Sequence, residues 1–125
     1  QLYDLPKNVS VRRNNSRYLY DGLRDLNDFY VYFNEGSSCM FFPVLISELS
    51  RKINKWDVMN RLAKAGIENR ELMPLTRQPC YSGLISGQDS FSVAEWVNRS
   101  GFYIGCHEGL TRERMDRTIN FFHKL

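Results

Sequence analysis

Two prolines, Pro74 and Pro79, place the strongest local constraint on how this sequence can fold. Each fixes its own φ and lacks a backbone N–H, so the segment between them is neither a regular helix nor a central strand. The side chains beside them are suited to binding ligands: Thr76, Arg77, Gln78 and Tyr81. A rigid loop with an arginine among neutral donors favours a site for phosphate or sugar hydroxyl groups. A surface loop with a solvated arginine is the alternative, and spacing alone favours it.

The length of 125 residues allows one domain with one core. Apolar residues make up 42% of the chain and charged residues 25%, which is ordinary for a globular domain. The 17 basic side chains exceed the 14 acidic ones by too little to indicate a nucleic-acid or membrane partner. No apolar run reaches membrane-spanning length, and no hydrophobic signal segment opens the sequence. We therefore expect neither nucleic acid nor a membrane as a partner.

The cysteine pattern favours a reducing compartment. Cys39, Cys80 and Cys106 are odd in number, far apart and without any C-x-x-C spacing. Such a set is typical of reduced, structural thiols rather than of a disulfide framework. The expected location is cytoplasmic.

Helical and strand patterns alternate along the chain. Apolar residues at helical spacing predict a first helix over about residues 9–26, after an arm at residues 1–7. Runs rich in aromatic and β-branched residues predict strands at 29–33 and 40–46, and Pro43 requires an edge or a bulge in the second. The aromatic residues of these runs fit a nucleic-acid stacking platform, but their alternation favours the core: Tyr30, Tyr32, Phe41 and Phe42.

The second half of the chain carries clear helix caps. Asn54 can cap a helix whose predicted buried stripe is Trp56, Met59, Leu62 and Ala63, and Gly66 can end it in a left-handed conformation. A short strand containing Arg70 follows. Ser92 and Glu95 form a capping-box pattern that opens another helix.

A strand over residues 101–106 leads to the last helix, for which Thr111 is the predicted cap. Leu110 and Met115 stand at the positions of a hydrophobic staple. The alternation predicts an α/β (α+β) fold with helices packed on a small mixed or antiparallel sheet, in one domain over residues 1–125.

Sequence motifs for metal binding and catalysis are missing. Cys106 and His107 form one adjacent pair and the other cysteines lie far away, so no zinc site is predicted. Neither His107 nor His123 belongs to a recognisable nucleophile motif, and neither a G-x-G-x-x-G nor a P-loop is present.

Several segments, in their order along the chain, resemble the C-terminal small domain of the DegT/DnrJ/StrS sugar aminotransferases. They are the arginine-rich first helix from Val11 to Leu26, Phe41-Phe42-Pro43-Val44, Gly66-Ile67-Glu68-Asn69-Arg70, Pro74-Leu75, Gln78-Pro79, Tyr81, Ala94-Glu95, Gly101-Phe102-Tyr103-Ile104-Gly105, Glu108-Gly109-Leu110-Thr111 and Met115-Asp116. The resemblance covers nearly the whole chain. It implies the fold of that domain in a type I pyridoxal-phosphate (PLP) enzyme of deoxy- and amino-sugar biosynthesis, acting on nucleotide-linked keto sugars, usually as a homodimer.

The resemblance also implies where the chemistry lies. The Schiff-base lysine and the phosphate-binding residues belong to a large PLP-binding domain of the same chain, upstream of this piece. The lysines here match no such site: Lys7, Lys52, Lys55, Lys64 and Lys124. We therefore expect no catalytic residue here and an inactive domain when alone, with Thr76, Arg77, Gln78 and Tyr81 facing the substrate cleft. Arg70 is a further candidate, with a surface ion pair to Glu68 or Glu71 as its alternative.

Two alternatives stay open. Thr76-Arg77 replaces the histidine of many of these aminotransferases, and this is similar to the nucleotide-sugar 3-dehydrases, which use pyridoxamine phosphate and no lysine Schiff base. A free-standing, non-catalytic α/β binding module is the other alternative. The start at Gln1 instead of methionine favours an enzyme fragment over such a module.

Overall fold

The computed structural model describes residues 3–50, 53–81, 83–85 and 91–125. Within these residues, four α-helices pack on a four-stranded antiparallel sheet, which confirms the predicted fold class. The elements are α1 (Leu5–Leu23), β1 (Phe29–Val31), β2 (Phe42–Ile46), α2 (Lys55–Lys64), β3 (Asn69–Glu71), α3 (Ser92–Ser100), β4 (Gly101–Ile104) and α4 (Arg112–Phe122). Two 3-10 turns, Leu75–Arg77 and Pro79–Tyr81, lie between β3 and α3.

The strand order β1-β2-β4-β3 places β2 in the interior of the sheet, although it contains Pro43. Pro43 pairs with Tyr103 of β4, whereas β1 ends at Val31, opposite Val44. No residue of β1 therefore stands opposite the proline. The missing N–H is tolerated because the strand is locally an edge at this residue.

Helix α1 begins at Leu5, so the arm predicted over residues 1–7 is too long. Pro6 stands in the first turn, where its fixed φ suits a helix and its missing N–H has no intrahelical partner to lose. The helix ends at Leu23, three residues before the predicted end near Leu26.

The core lies between one face of the sheet and helices α1, α2 and α4. The buried strand residues that define this inner face are Phe29, Phe42, Val44, Ile46, Phe102 and Ile104. The helices contribute Leu19, Leu23, Val58, Leu62, Met115 and Phe122. The ring of Phe122 packs edge-on against Phe29 and in parallel with Phe102, which joins α4 to β1 and β4 on the inner face.

Helix α2 has the predicted ends but only part of the predicted buried stripe. The Asn54 side chain accepts bonds from the N–H groups of Trp56 and Asp57, and Gly66 has a φ of +74°, so both end signals are confirmed. Of the predicted stripe, Leu62 is buried and Met59 packs against the core, whereas Trp56 is 54% exposed and Ala63 is also exposed. The other buried positions are Lys55 and Val58. The stripe is rotated because Lys55 is buried with its ammonium group paired, which apolar periodicity cannot indicate.

Helix α4 is capped as predicted, because Thr111 Oγ1 accepts a bond from the N–H of Arg114 at 3.3 Å. Met115 is buried and Leu110 packs against the core. Gly22 of α1 permits a close approach to α4, since a Cβ at this position would lie 2.5 Å from Cδ1 of Ile119. No helix in the described part of the chain has the length and apolar character needed to cross a membrane.

Candidate functional site

Local hydrogen bonds shape the loop formed by residues 74–81, which we call the site loop. The N–H of Arg77 donates to Pro74 O and that of Gln78 to Leu75 O, both at 3.2 Å. In the second turn, the N–H of Tyr81 donates to Gln78 O at 3.0 Å. These turns confirm that the two prolines exclude regular helix and sheet here.

The site loop brings four of the five predicted site residues together on the surface. Thr76 and Gln78 are half-buried, whereas Arg77 and Tyr81 are exposed. The amide of Gln78 is turned back onto its own loop, because Nε2 donates to Pro74 O at 3.2 Å. Gln78 therefore stabilises the turn in addition to any contact with a ligand.

Arg77 is paired with Glu95, in the first turn of α3. Nε of Arg77 donates to Oε1 of Glu95 at 3.3 Å, and Nη2 donates to Oε2. The hydrogen bond that Arg77 donates to Glu95 raises the pKa of Arg77, so the guanidinium remains charged. The side chain of Arg77 is 62% exposed, as the alternative of a solvated surface arginine predicts, but it is held by the carboxylate of Glu95.

Sequence patterns assign Glu95 to a helix capping box, whereas in the structure it is the partner of Arg77. The predicted capping box fails because Ser92 is the first residue of α3 and Phe91 is its N-cap, with no side-chain cap bond. The carboxylate of Glu95 binds Arg77 instead. The two residues are 18 positions apart, so no local spacing pattern indicates the contact.

The fifth predicted residue, Arg70, lies in β3 and faces away from α2. Its neighbours both bind α2: Nδ2 of Asn69 donates to Met59 O, and Glu71 pairs with Lys55. Because side chains alternate along a strand, Arg70 points to the opposite, outer face of the sheet. The alternative pair with Glu71 is wrong, since the two side chains lie on opposite faces.

The outer face is defined by the side chains that alternate with the core: Tyr30, Pro43, Leu45, Arg70 and Tyr103. Helix α3 covers part of it, as the ring of Trp96 packs edge-on against Tyr30 with centroids 5.9 Å apart. Elsewhere Tyr103 packs on Phe41, with centroids 4.7 Å apart. The site loop meets this side of the molecule through the Arg77–Glu95 pair.

The aromatic residues of the first two strand segments do not all enter the core, which corrects the prediction. Phe42 is buried, but Tyr30, Tyr32 and Phe41 are 50%, 62% and 37% exposed. Alternation along the strand sends these side chains outward, and α3 is too short to cover the whole outer face. An apolar surface therefore remains on the outer side of β1 and β2.

The described lysines do not form the covalent cofactor site of a PLP enzyme. Lys55 is the buried one, and its Nζ is bound by Glu71 Oε1 at 2.8 Å and by Asn98 O at 2.9 Å. Lys7, Lys64 and Lys124 are exposed, and Lys52 lies outside the described residues. The described lysines therefore do not fit the covalent site of this group.

The thiols differ in exposure. Cys39 and Cys106 are buried and Cys80 is exposed, and all three are free. Burial raises the pKa of Cys106, whose Sγ donates to Cys39 O at 2.9 Å. In the part of the chain that the structure describes, no group of three or more His, Cys, Asp or Glu residues is placed to hold a metal ion.

A cavity of about 340 Å³ lies away from the site loop, between α1, α4 and the start of β3. Its floor is made of core residues such as Leu19 and Ile104, and Arg114 and Arg117 stand at its rim. Nη2 of Arg117 is bound to Ala65 O at 2.6 Å. None of the five predicted site residues lines this cavity.

Solved structures with the same fold are enzymes about three times as long. A GDP-4-keto-6-deoxymannose-3-dehydratase aligns with a TM-score of 0.83 and 24% identity over 98% of this chain and 33% of its own. The Helicobacter pylori aminotransferase PseC aligns with a TM-score of 0.79 and 19% identity over 99% of this chain and 34% of its own. DesV of S. venezuelae gives a TM-score of 0.81 at 19% identity, over 98% and 33%. At these identities, the likeness establishes the fold alone.

The sequence comparison is more specific than the structural one. No curated protein sequence matches the chain. The profile of the DegT/DnrJ/EryC1/StrS aminotransferases matches residues 1–123, nearly the entire sequence. The match agrees with the resemblance of the loop and tail segments, and the chain belongs to the DegT/DnrJ/EryC1/StrS aminotransferase family.

Proposed function

We propose that this chain is the C-terminal small domain of a PLP-dependent enzyme that acts on nucleotide-linked keto sugars. The proposal is supported by the family and by the likeness of the fold to about a third of a solved aminotransferase and of a solved 3-dehydratase. The observation that carries it is the site loop, which presents an exposed, charged Arg77 among neutral hydrogen-bonding groups. Arg77 binds the phosphate groups or the cofactor environment, with Thr76, Gln78 and Tyr81 as neutral partners.

The reaction is either amino transfer or dehydration at the sugar. The segment Leu75-Thr76-Arg77-Gln78-Pro79 favours the 3-dehydrase branch, because it lacks the histidine of many of the aminotransferases. In both cases the cofactor chemistry belongs to a large domain, and this chain contributes substrate-binding groups. A sugar nucleotide consists of a nucleoside, a diphosphate and a sugar. It therefore offers both the anion and the hydroxyl groups that the site loop can bind.

The large domain is the partner that we propose for the outer face. This face leaves Tyr30, Tyr32 and Phe41 exposed, and apolar surface of this kind is typical of a contact with another domain. In the full-length protein we expect a homodimer. The three free thiols support a cytoplasmic location.

Replacement of Arg77 by alanine in the full-length protein tests the site. We expect impaired turnover or substrate binding, by roughly tenfold to a thousandfold, because a charged hydrogen bond to substrate is lost. The melting temperature should hardly change, since Arg77 is exposed. Arg99→Ala is the matched control, because Arg99 is an exposed arginine of α3 that is paired with Glu48 at 3.3 Å. An early-melting variant with normal kinetics would show that Arg77 is structural.

The isolated chain should not bind PLP covalently at a defined lysine. Borohydride reduction after incubation with PLP, followed by peptide mass spectrometry, should give only scattered labelling of exposed lysines such as Lys64. Stoichiometric labelling of one lysine would contradict the assignment of the cofactor site to the large domain.

A further inference from the structure

We infer that Glu95 is a positioning residue that holds Arg77 in the orientation needed to bind a phosphate group of the substrate. The inference rests on the proposed function. It starts from the two hydrogen bonds between Glu95 and Arg77, which use Nε and Nη2 on the same edge of the guanidinium. A carboxylate that binds two N–H groups of this planar fork fixes both its plane and its direction.

The pair leaves the other edge of the guanidinium available. Arg carries five N–H donors, and Glu95 uses one at Nε and one at Nη2. Among the contacts between described residues, the side-chain hydrogen bonds of Arg77 involve these two nitrogens only, so both donors at Nη1 and the second at Nη2 remain. One N–H of Nη1 and the remaining N–H of Nη2 point to the same edge of the guanidinium, and their spacing matches that of two phosphate oxygens.

Glu95 is itself held by the fold. It lies in the first turn of α3, and its N–H donates to Phe91 O at 2.9 Å. The next residue, Trp96, anchors the helix on Tyr30, and α3 continues directly into the buried strand β4. The carboxylate therefore projects from a rigid element, whereas Arg77 stands in a loop whose own hydrogen bonds are local. The pair therefore restrains the side chain of Arg77 by linking it to α3.

The pair between Arg77 and Glu95 contributes little to the stability of the fold. The side chains of Arg77 and Glu95 are 62% and 41% exposed, and pairs of this kind contribute little to the free energy of unfolding. A carboxylate beside an arginine also lowers its attraction for a second anion. If neutralisation were its main effect, removal of Glu95 would strengthen phosphate binding. If Glu95 positions Arg77, its removal should instead weaken phosphate binding, because a free arginine must lose rotamer entropy when it binds.

The test measures binding of nucleoside diphosphates to the full-length protein by calorimetry. GDP, UDP and dTDP are the probes, and the tightest of them is used for the variants. We expect Glu95→Ala to weaken its binding by about tenfold, and Glu95→Gln by less, because the amide oxygen still accepts one bond. With the natural substrate, the change should appear in KM and leave kcat nearly unaltered.

A double-mutant cycle separates positioning from other roles. In the Arg77→Ala background, Glu95→Ala should have no further effect, because Glu95 acts only through Arg77. Glu48→Ala is the control, since it removes the carboxylate of the other exposed pair on α3 and should leave probe binding unchanged.

The outcomes distinguish this inference from the proposed function. If Arg77→Ala weakens probe binding but Glu95→Ala leaves it unchanged or strengthens it, the positioning role is wrong and the site stands. If Arg77→Ala has no effect, or no probe binds the unaltered protein, the proposed substrate site fails and the inference fails with it. An equal loss from Glu95→Ala in both backgrounds would also overturn the inference.

Discussion

The two faces of the sheet differ in how completely helices cover them. Three helices close the inner face, where Phe42 and Phe102 are almost fully buried. The outer face has one short helix, α3, and the site loop, and Tyr30 and Tyr32 stay at least half exposed there. The same strands supply both faces, because side chains alternate along them. Stability is therefore concentrated on one side, and the groups proposed to bind substrate and the large domain lie on the other.

Adjacent residues of β4 provide the sharpest test of this difference. Phe102→Ala should lower the free energy of unfolding by about 3–5 kcal/mol, since it leaves a cavity in the core. Tyr103→Ala, one residue later on the outer face, should cost about 1 kcal/mol, mainly from its contact with Phe41. Urea denaturation of the isolated chain, which we expect to unfold cooperatively, measures both values. Equal losses would mean that the outer face is as tightly packed as the inner one.

Replacement of Lys55 tests whether the stability of the inner face depends on a buried charge. Its ammonium group joins α2 to Glu71 of β3 and to the carbonyl of Asn98 in α3. Lys55→Ala should cost about 2 kcal/mol, less than the loss for a fully buried pair, because Glu71 is 46% exposed and water can solvate it. Lys64→Ala, at an exposed position of the same helix, is the control and should be nearly neutral. A similar small effect for both variants would show that the pair contributes nothing.

Gly66 gives the smallest expected effect, in the turn between α2 and β3. Its φ of +74° is unfavourable for any residue with a Cβ, but an added Cβ would meet no atom within 4 Å. Gly66→Ala should therefore lower the free energy of unfolding by about 1 kcal/mol from backbone strain alone. Gly66→Asn should cost less, because asparagine tolerates this conformation better. If the alanine variant loses as much as Lys55→Ala, the turn has a packing role that its open surroundings do not indicate.

Features that depend on a few neighbouring residues could be predicted. The caps at Asn54 and Thr111 and the left-handed end at Gly66 follow from backbone groups within one turn of the helix. The irregular path of the site loop follows in the same way from Pro74 and Pro79. The failed capping box at Ser92 shows the limit of such patterns, since a start one residue earlier removes the role of the hydroxyl group.

The sequence by itself determined the helix ends at Asn54, Gly66 and Thr111, the alternation of helices and strands, and the family, because these depend on residue type and short spacing. Only the tertiary structure decided that Lys55 is buried against Glu71 and that Glu95 binds Arg77. It also decided which side of the sheet stays open beside Tyr30 and Phe41. These features depend on which elements pack together across 16 or more positions of the chain, and a side chain's partner at that distance is fixed by the packing of whole helices and strands.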